Sequence, residues 1–271
     1  MRSQKELALD GKLTALAESF HLSGKMARGL QLLLCDEEIQ AAQEYANTVS
    51  IVRLGYNDHG PVHMRTVAFN ALYMLGLLRK AEIKTSLEKD ECGDFEDSLT
   101  AVLFAAMLHD IGMGVGRQDH ELHSVYMAYP ILDRILAQVY EGDWHKRTMV
   151  RAMALEGISG HMGNRTVHSL EAGVVQVADG CDMTKGRARI PIALNHNARA
   201  GSIHQYSANS IEDVRIGAGA QRPIRVDIVM SSEIGLFQVE EVLLGKIAAS
   251  AAKPFIELYA QVRDEETRRY L

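Results

Sequence analysis

The stretch Leu99-Thr100-Ala101-Val102-Leu103-Phe104-Ala105-Ala106-Met107-Leu108-His109-Asp110 decides the fold. Its apolar run is too short to cross a bilayer and long enough for a helix buried on every side. Such a helix needs other helices around it, and this one ends on an imidazole and a carboxylate. Burying those two groups is costly unless something compensates them. A divalent cation does so, taking nitrogen from one and oxygen from the other.

Reading outward, most of the first two hundred residues predict helix. Downstream, Gly112, Gly114 and Gly116 end the apolar helix. They lack the G-x-G-x-x-G spacing and follow a helix, so they read as a turn and not as a nucleotide loop. Asp119 is expected to cap a helix running through Leu136, with Pro130 as a kink. Further helices fit Arg147 to Ile158 and Ser169 to Met183. Upstream, Leu13 to Ala17 and Leu30 to Leu34 are helical in composition. Asp36-Glu37-Glu38 reads as the acidic first turn of a helix toward Val52, and apolar spacing predicts another from His63 to Leu78. Thr85 to Asp97 is polar and contains Gly93, so it reads as a solvated loop. After about residue 205 the period changes. Ile224, Val226, Ile228 and Met230 alternate with more polar neighbours, the signature of a half-buried strand. Ile211 to Ile216 is a weaker strand, Phe237 to Ala252 a helix and Phe255 to Val262 a last strand. The expected fold is mainly α, with an N-terminal helical segment (1–50), a helical domain (51–204) and a small β-β-α-β subdomain (205–271).

Hydrophobic residues make up 47% of the 271, enough to bury a core. The net charge of −6 argues against a nucleic-acid coat, which is normally basic. From Lys84 to Asp97, two lysines stand against six acids, so that segment alone carries −4. Cys35, Cys92 and Cys181 form no CxxC pair and read as reduced thiols. With no membrane-length apolar run and no signal-peptide core after the charged start, the expected location is the cytoplasm.

The chemistry is concentrated in five separated motifs. Tyr56-Asn57-Asp58-His59-Gly60-Pro61-Val62-His63 opens one helix, and His109-Asp110 closes the next. Asp119-His120-Glu121-Leu122-His123-Ser124 starts a third. Ile158-Ser159-Gly160-His161 ends a fourth, and Val177-Ala178-Asp179-Gly180-Cys181-Asp182 puts an acid late in a fifth. Helical proteins build multi-ligand metal sites by bringing such residues from several helices to one place. His123 reads as packing or surface, since it does not share the direction of His120.

This order, His … His-Asp … His … His … Asp, resembles the HD-domain superfamily of metal-dependent phosphohydrolases over residues 50–190. Ala105 to Gly112 looks like the family's central motif, His120-Glu121 with Ser124 like its "HE..S" helix start, and Ala178-Asp179 like its closing "AD". Arg53 to Gly60 is similar to a prokaryotic subgroup with a C-terminal appendage of this kind. The resemblance implies an HD-type helical bundle in which His63, His109, Asp110 and Asp179 hold a first metal. Asp110 would then bridge to a second metal held by His120 and His161. The two additional histidines resemble the binuclear branch, with Mn, Mg, Fe or Zn as the cofactor. The chain lacks the GYP signature and the consecutive histidines of cyclic-di-GMP phosphodiesterases, so the resemblance does not extend to that substrate.

The expected activity is hydrolysis of a nucleotide or another phosphate ester by a metal-activated hydroxide, with Asp110 as the central catalytic residue. Asp58 and His59 are candidates for orienting ligands or handling protons. Lys185, Arg187 and Arg189 are candidates for gripping phosphate. Two other readings stand beside this one. One is a di-iron HD-fold oxygenase, since the same ligands suit iron. The other is a nucleotide-sensing module whose small sheet transmits or dimerises. A homodimer and a small phosphate-containing partner are expected, with no membrane partner.

Overall fold

The computed structural model describes residues 2–185, 187 and 203–271. The chain is mainly α, with a small sheet at its C-terminal end. The helices are α1 (Gln4–Ser19), α2 (Lys25–Cys35), α3 (Glu37–Thr48), α4 (Pro61–Lys80), α5 (Ser86–Lys89), α6 (Phe95–Leu108), α7 (His120–Val139), α8 (Trp144–Gly160) and α9 (Leu170–Cys181). Every residue of α6 is buried, because α2, α4, α8 and α9 pack around it. The sequence pattern required that all-round burial. Among the described residues, no helix is long and apolar enough to cross a membrane.

The expected solvated loop from Thr85 to Asp97 is a correction. Thr85 caps α5 through a capping box with Glu88, and Asp94 caps α6 through another with Asp97. The acids are used as structure. The Glu96 carboxylate accepts from the backbone N–H of Gly24 (2.9 Å) and Met26 (3.2 Å), capping α2 from a neighbouring helix. Asp97 is fully buried; it accepts from Lys146 Nζ at 2.6 Å and from the Tyr140 hydroxyl at 2.9 Å. A second correction concerns Asp119. It stands at the start of α7 but has a left-handed backbone (φ 53°) and makes no side-chain cap bond. Pro130 is accommodated inside α7.

The C-terminal unit begins with α10 (Ile203–Ser210), followed by β1 (Ile211–Ala218) and β2 (Ile224–Met230). These strands pair antiparallel, Val214 opposite Ile228. β3 (Ile256–Val262) pairs parallel to β2, Val226 opposite Leu258. A parallel pair needs a crossover. Here it is a π-helical turn (Gln238–Leu243) leading into α11 (Leu244–Ala249). The helix expected from Phe237 to Ala252 is present with a π-helical turn inside it, and ends earlier, at Ala249. A two-residue β4 (Arg268–Arg269), not foreseen, completes the sheet order β1-β2-β3-β4. Val239, Leu243 and Ile247 turn inward, and the crossover packs on α9, so one hydrophobic core runs from the helical body into the sheet.

Candidate metal centre

Helix ends converge at the C-terminal end of α6. His63 lies in the first turn of α4, whose Pro61 suits an opening position that needs no N–H donor. His109 and Asp110 directly follow α6, His120 is the first residue of α7, His161 follows α8, and Asp179 lies in the last turn of α9. Gly112 lets α7 come this close. A Cβ there would stand 2.1 Å from the His120 carbonyl oxygen, and its N–H donates to Ser124 Oγ at 2.8 Å. That contact is the physical content of the glycine after His-Asp and the serine after His-Glu.

The six side chains form two groups sharing Asp110. His63 Nε2 lies 3.1 Å from His109 Nε2, 3.3 Å from Asp110 Oδ2 and 3.2 Å from Asp179 Oδ1. His109 Nε2 is 3.3 Å from the same Asp110 oxygen. On the other side, Asp110 Oδ1 lies 3.2 Å from His120 Nε2 and 3.4 Å from His161 Nε2, and those two nitrogens are 3.1 Å apart. All six residues are at most 7% exposed.

The second ring nitrogens test whether this set fits a cation. His109 Nδ1 lies 2.9 Å from the Ala106 carbonyl, His120 Nδ1 3.0 Å from that of Arg117, and His161 Nδ1 2.7 Å from that of Ile158. His63 Nδ1 lies 2.7 Å from Asp182 Oδ2. Each Nδ1 has an acceptor for an outward proton, which leaves each Nε2 available to present a lone pair to a cation. Lone pairs 3.1 Å apart repel unless positive charge sits between them. The donor set of imidazole and carboxylate suits a divalent transition metal or Mg. The cluster is thus able to hold a divalent metal, and HD domains bind such metals.

The electrostatics agree. Burial works against a charged His63, as does Arg187, but Asp110, Asp179 and Asp182 beside it draw its pKa up to about 10. The cage attracts positive charge. His161 goes the other way: burial pushes it down to about 4, leaving it neutral and able to ligate. Burial also opposes the charge of Asp110, yet the surrounding histidines hold its carboxyl well below the usual range. Asp179 is held low despite burial by Lys246 and His63.

A cavity of about 600 Å³ opens beside the cluster. His59 lines it. Its Nδ1 lies 2.6 Å from the Asn57 carbonyl, and burial keeps the ring neutral. Asp58 is spent on the turn, its Oδ1 accepting from the Gly60 N–H at 2.8 Å. Arg187 reaches the cavity wall. Its Nε donates to the Asp58 carbonyl (2.9 Å) and a terminal nitrogen to the Asp182 carbonyl (2.8 Å), clamping the loop before α4 to the end of α9. Lys185 is exposed and does not line the cavity. Arg189 lies outside the described residues.

Sequence reasoning missed several neighbours. Arg117 places a guanidinium nitrogen 3.4 Å from both ring nitrogens of His120, and also faces the Tyr56 ring. Its position three residues before His120 was the available signal. Glu121 Oε2 lies 3.5 Å from His120 Nδ1, and its other oxygen accepts from Asn164. Asp182, three residues after Asp179, is the partner of His63. Lys246, from the C-terminal crossover, bonds Asp179 Oδ2, and no local pattern marks it.

Comparisons with known proteins agree with this geometry. The family model for the HD domain matches residues 62–184. An uncharacterized protein of Methanocaldococcus jannaschii is 42% identical over 234 residues, covering 86% of this chain and 88% of that protein. That likeness is longer than the HD match and so extends beyond the ligand-bearing helices. No solved structure matches significantly. The helical body, the order of its histidines and aspartates and the matched span together make the chain a member of the HD-domain superfamily.

Proposed function

We propose that the protein is a phosphohydrolase that uses two divalent metal ions to cleave a nucleotide or another phosphate ester. The observation that carries this reading is the split of Asp110. One oxygen faces His63, His109 and Asp179 and the other faces His120 and His161, an arrangement suited to a bridging carboxylate. His63, His109, Asp110 and Asp179 would hold the first ion, and Asp110, His120 and His161 the second. Ions there would supply an acidified water as nucleophile and neutralise phosphate oxygens.

The chain's own residues do the rest. Backbone carbonyls and Asp182 fix the four imidazoles, so the ligands are preorganised. His59, kept neutral by burial on the cavity wall, is placed to hydrogen-bond a reacting group or its water. Arg117 brings fixed positive charge to the second-ion side. Met162, Met183 and Val242 supply apolar wall, and the volume falls within the range of small-molecule sites. Phosphate release from a panel of nucleotides and phosphate esters, measured with Mn-loaded protein, tests the reading. Turnover that Asp110→Asn abolishes is expected. Turnover surviving that substitution, or oxygen consumption by iron-loaded protein without phosphate release, would overturn it.

A further inference from the structure

The cavity has a wall that the ligand-bearing helices do not supply. Gln238, Glu241, Val242, Gly245 and Lys246 line it from the crossover between β2 and β3. This wall includes the π-helical turn Gln238–Leu243. Such turns are uncommon and recur at functional sites. Lys246 sits where the wall meets the metal cluster. It is 8% exposed, and its ammonium bonds the Asp179 oxygen that faces away from His63.

The surroundings of Lys246 are shaped for it. Gly163, two residues after His161, has φ +81°, and a Cβ there would stand 3.1 Å from Lys246 Cγ. Gly180, next to Asp179, would place a Cβ 3.2 Å from Lys246 Cδ. The aliphatic stem therefore passes between two positions without side chains, each beside a residue of the cluster. An ammonium has three donors. Asp179 is its one hydrogen-bond partner among the described residues, and Lys246 lines the cavity.

We propose that Lys246 is a phosphate-binding residue, contributed by the C-terminal unit, that reaches the substrate's phosphoryl oxygens across the cavity while Asp179 fixes its ammonium. This rests on the phosphohydrolase reading and adds to it a role for the appendage: the site is incomplete without it. A lysine held as a point charge suits a phosphate oxygen. Asp179 prepays its ordering, since the head is already fixed before an anion arrives.

The test is calorimetric binding of inorganic phosphate to Mn-loaded full-length protein, with Mn affinity measured separately and thermal melts to confirm folding. Lys246→Gln should weaken phosphate binding by about tenfold or more, the value of a hydrogen bond to a charged group. Its Mn affinity should change much less, and Lys246→Arg should recover most of the phosphate binding. Unchanged phosphate affinity in Lys246→Gln, or a loss confined to Mn, would overturn the proposal and leave the hydrolase reading standing. A wild-type protein that binds Mn but no phosphate would instead remove the reading on which the proposal rests. If Lys246→Gln does not fold, Lys246→Met serves as the second variant, with the same outcomes.

Discussion

The two ends of α6 both carry buried charge, and they are opposite in kind. At the N-terminal end, Asp97 meets Lys146 and the Tyr140 hydroxyl, and Asp94 closes a capping box. Each acceptor there has its donor. At the C-terminal end, four imidazole nitrogens and three carboxylate oxygens face one another, and without a metal they hold a proton on His63 in its place. A cluster satisfied from within holds the fold; one whose lone pairs converge is built for something positive that the chain does not itself provide. Burial alone does not separate them, since Asp97 and His109 are both fully buried.

Substitutions at the two ends should separate cleanly. The largest effect is expected for Asp110→Asn, which should lower turnover by about a thousandfold or more, equivalent to about 4 kcal/mol of transition-state stabilisation. Thermal melts give the folded fraction, over which steady-state turnover is compared. Asp97→Ala should act on stability instead. Leaving the Tyr140 hydroxyl without this acceptor and Lys146 with Asp94 alone should cost about 2 kcal/mol of stability, read by denaturant titration, with turnover of the folded fraction unchanged. A loss of turnover matching that of Asp110→Asn would break the comparison.

Smaller effects sharpen it. Asp182→Ala should weaken metal binding about 10- to 100-fold, because His63 loses the partner that orients its ring. Competition with a fluorescent chelator measures this. In the metal-free protein, the His63 pKa of about 10 lies above the ordinary 6.5. Its contribution is complete below 6.5 and is lost as pH rises through 10. His161, pushed to about 4, acts in the other sense: stability is lost as pH falls from 6.5 toward 4. These two groups place the metal-free stability optimum near pH 6.5, and metal loading should remove the alkaline loss. Melting temperatures across pH, with and without Mn, check the sign. The cluster at the other end should contribute no such slope through neutrality, since Asp97 keeps Lys146 charged despite burial.

How far the sequence could be read follows the same division. His63, His109, Asp110, His120, His161 and Asp179 were legible because each sits at a helix end in a recognisable local phrase. The geometry that joins them depends on Gly112 and Ser124, which belong to those phrases. The acidic segment was misread as solvated because its partners, Gly24, Tyr140 and Lys146, are distant in sequence. Lys246 was invisible for the same reason: it lies 67 residues from Asp179, on a crossover whose pattern reports only its apolar side. Helix ends announce ligands locally; a wall assembled by tertiary packing does not.

The central claim is that the C-terminal end of α6 is a two-ion site bridged by Asp110. Anomalous diffraction from crystals of the protein grown with Mn tests it most directly. The account predicts two peaks, one among His63, His109 and Asp179 and one between His120 and His161, with an Asp110 oxygen on each. A single peak that leaves His120 and His161 without an ion, or none, would contradict it.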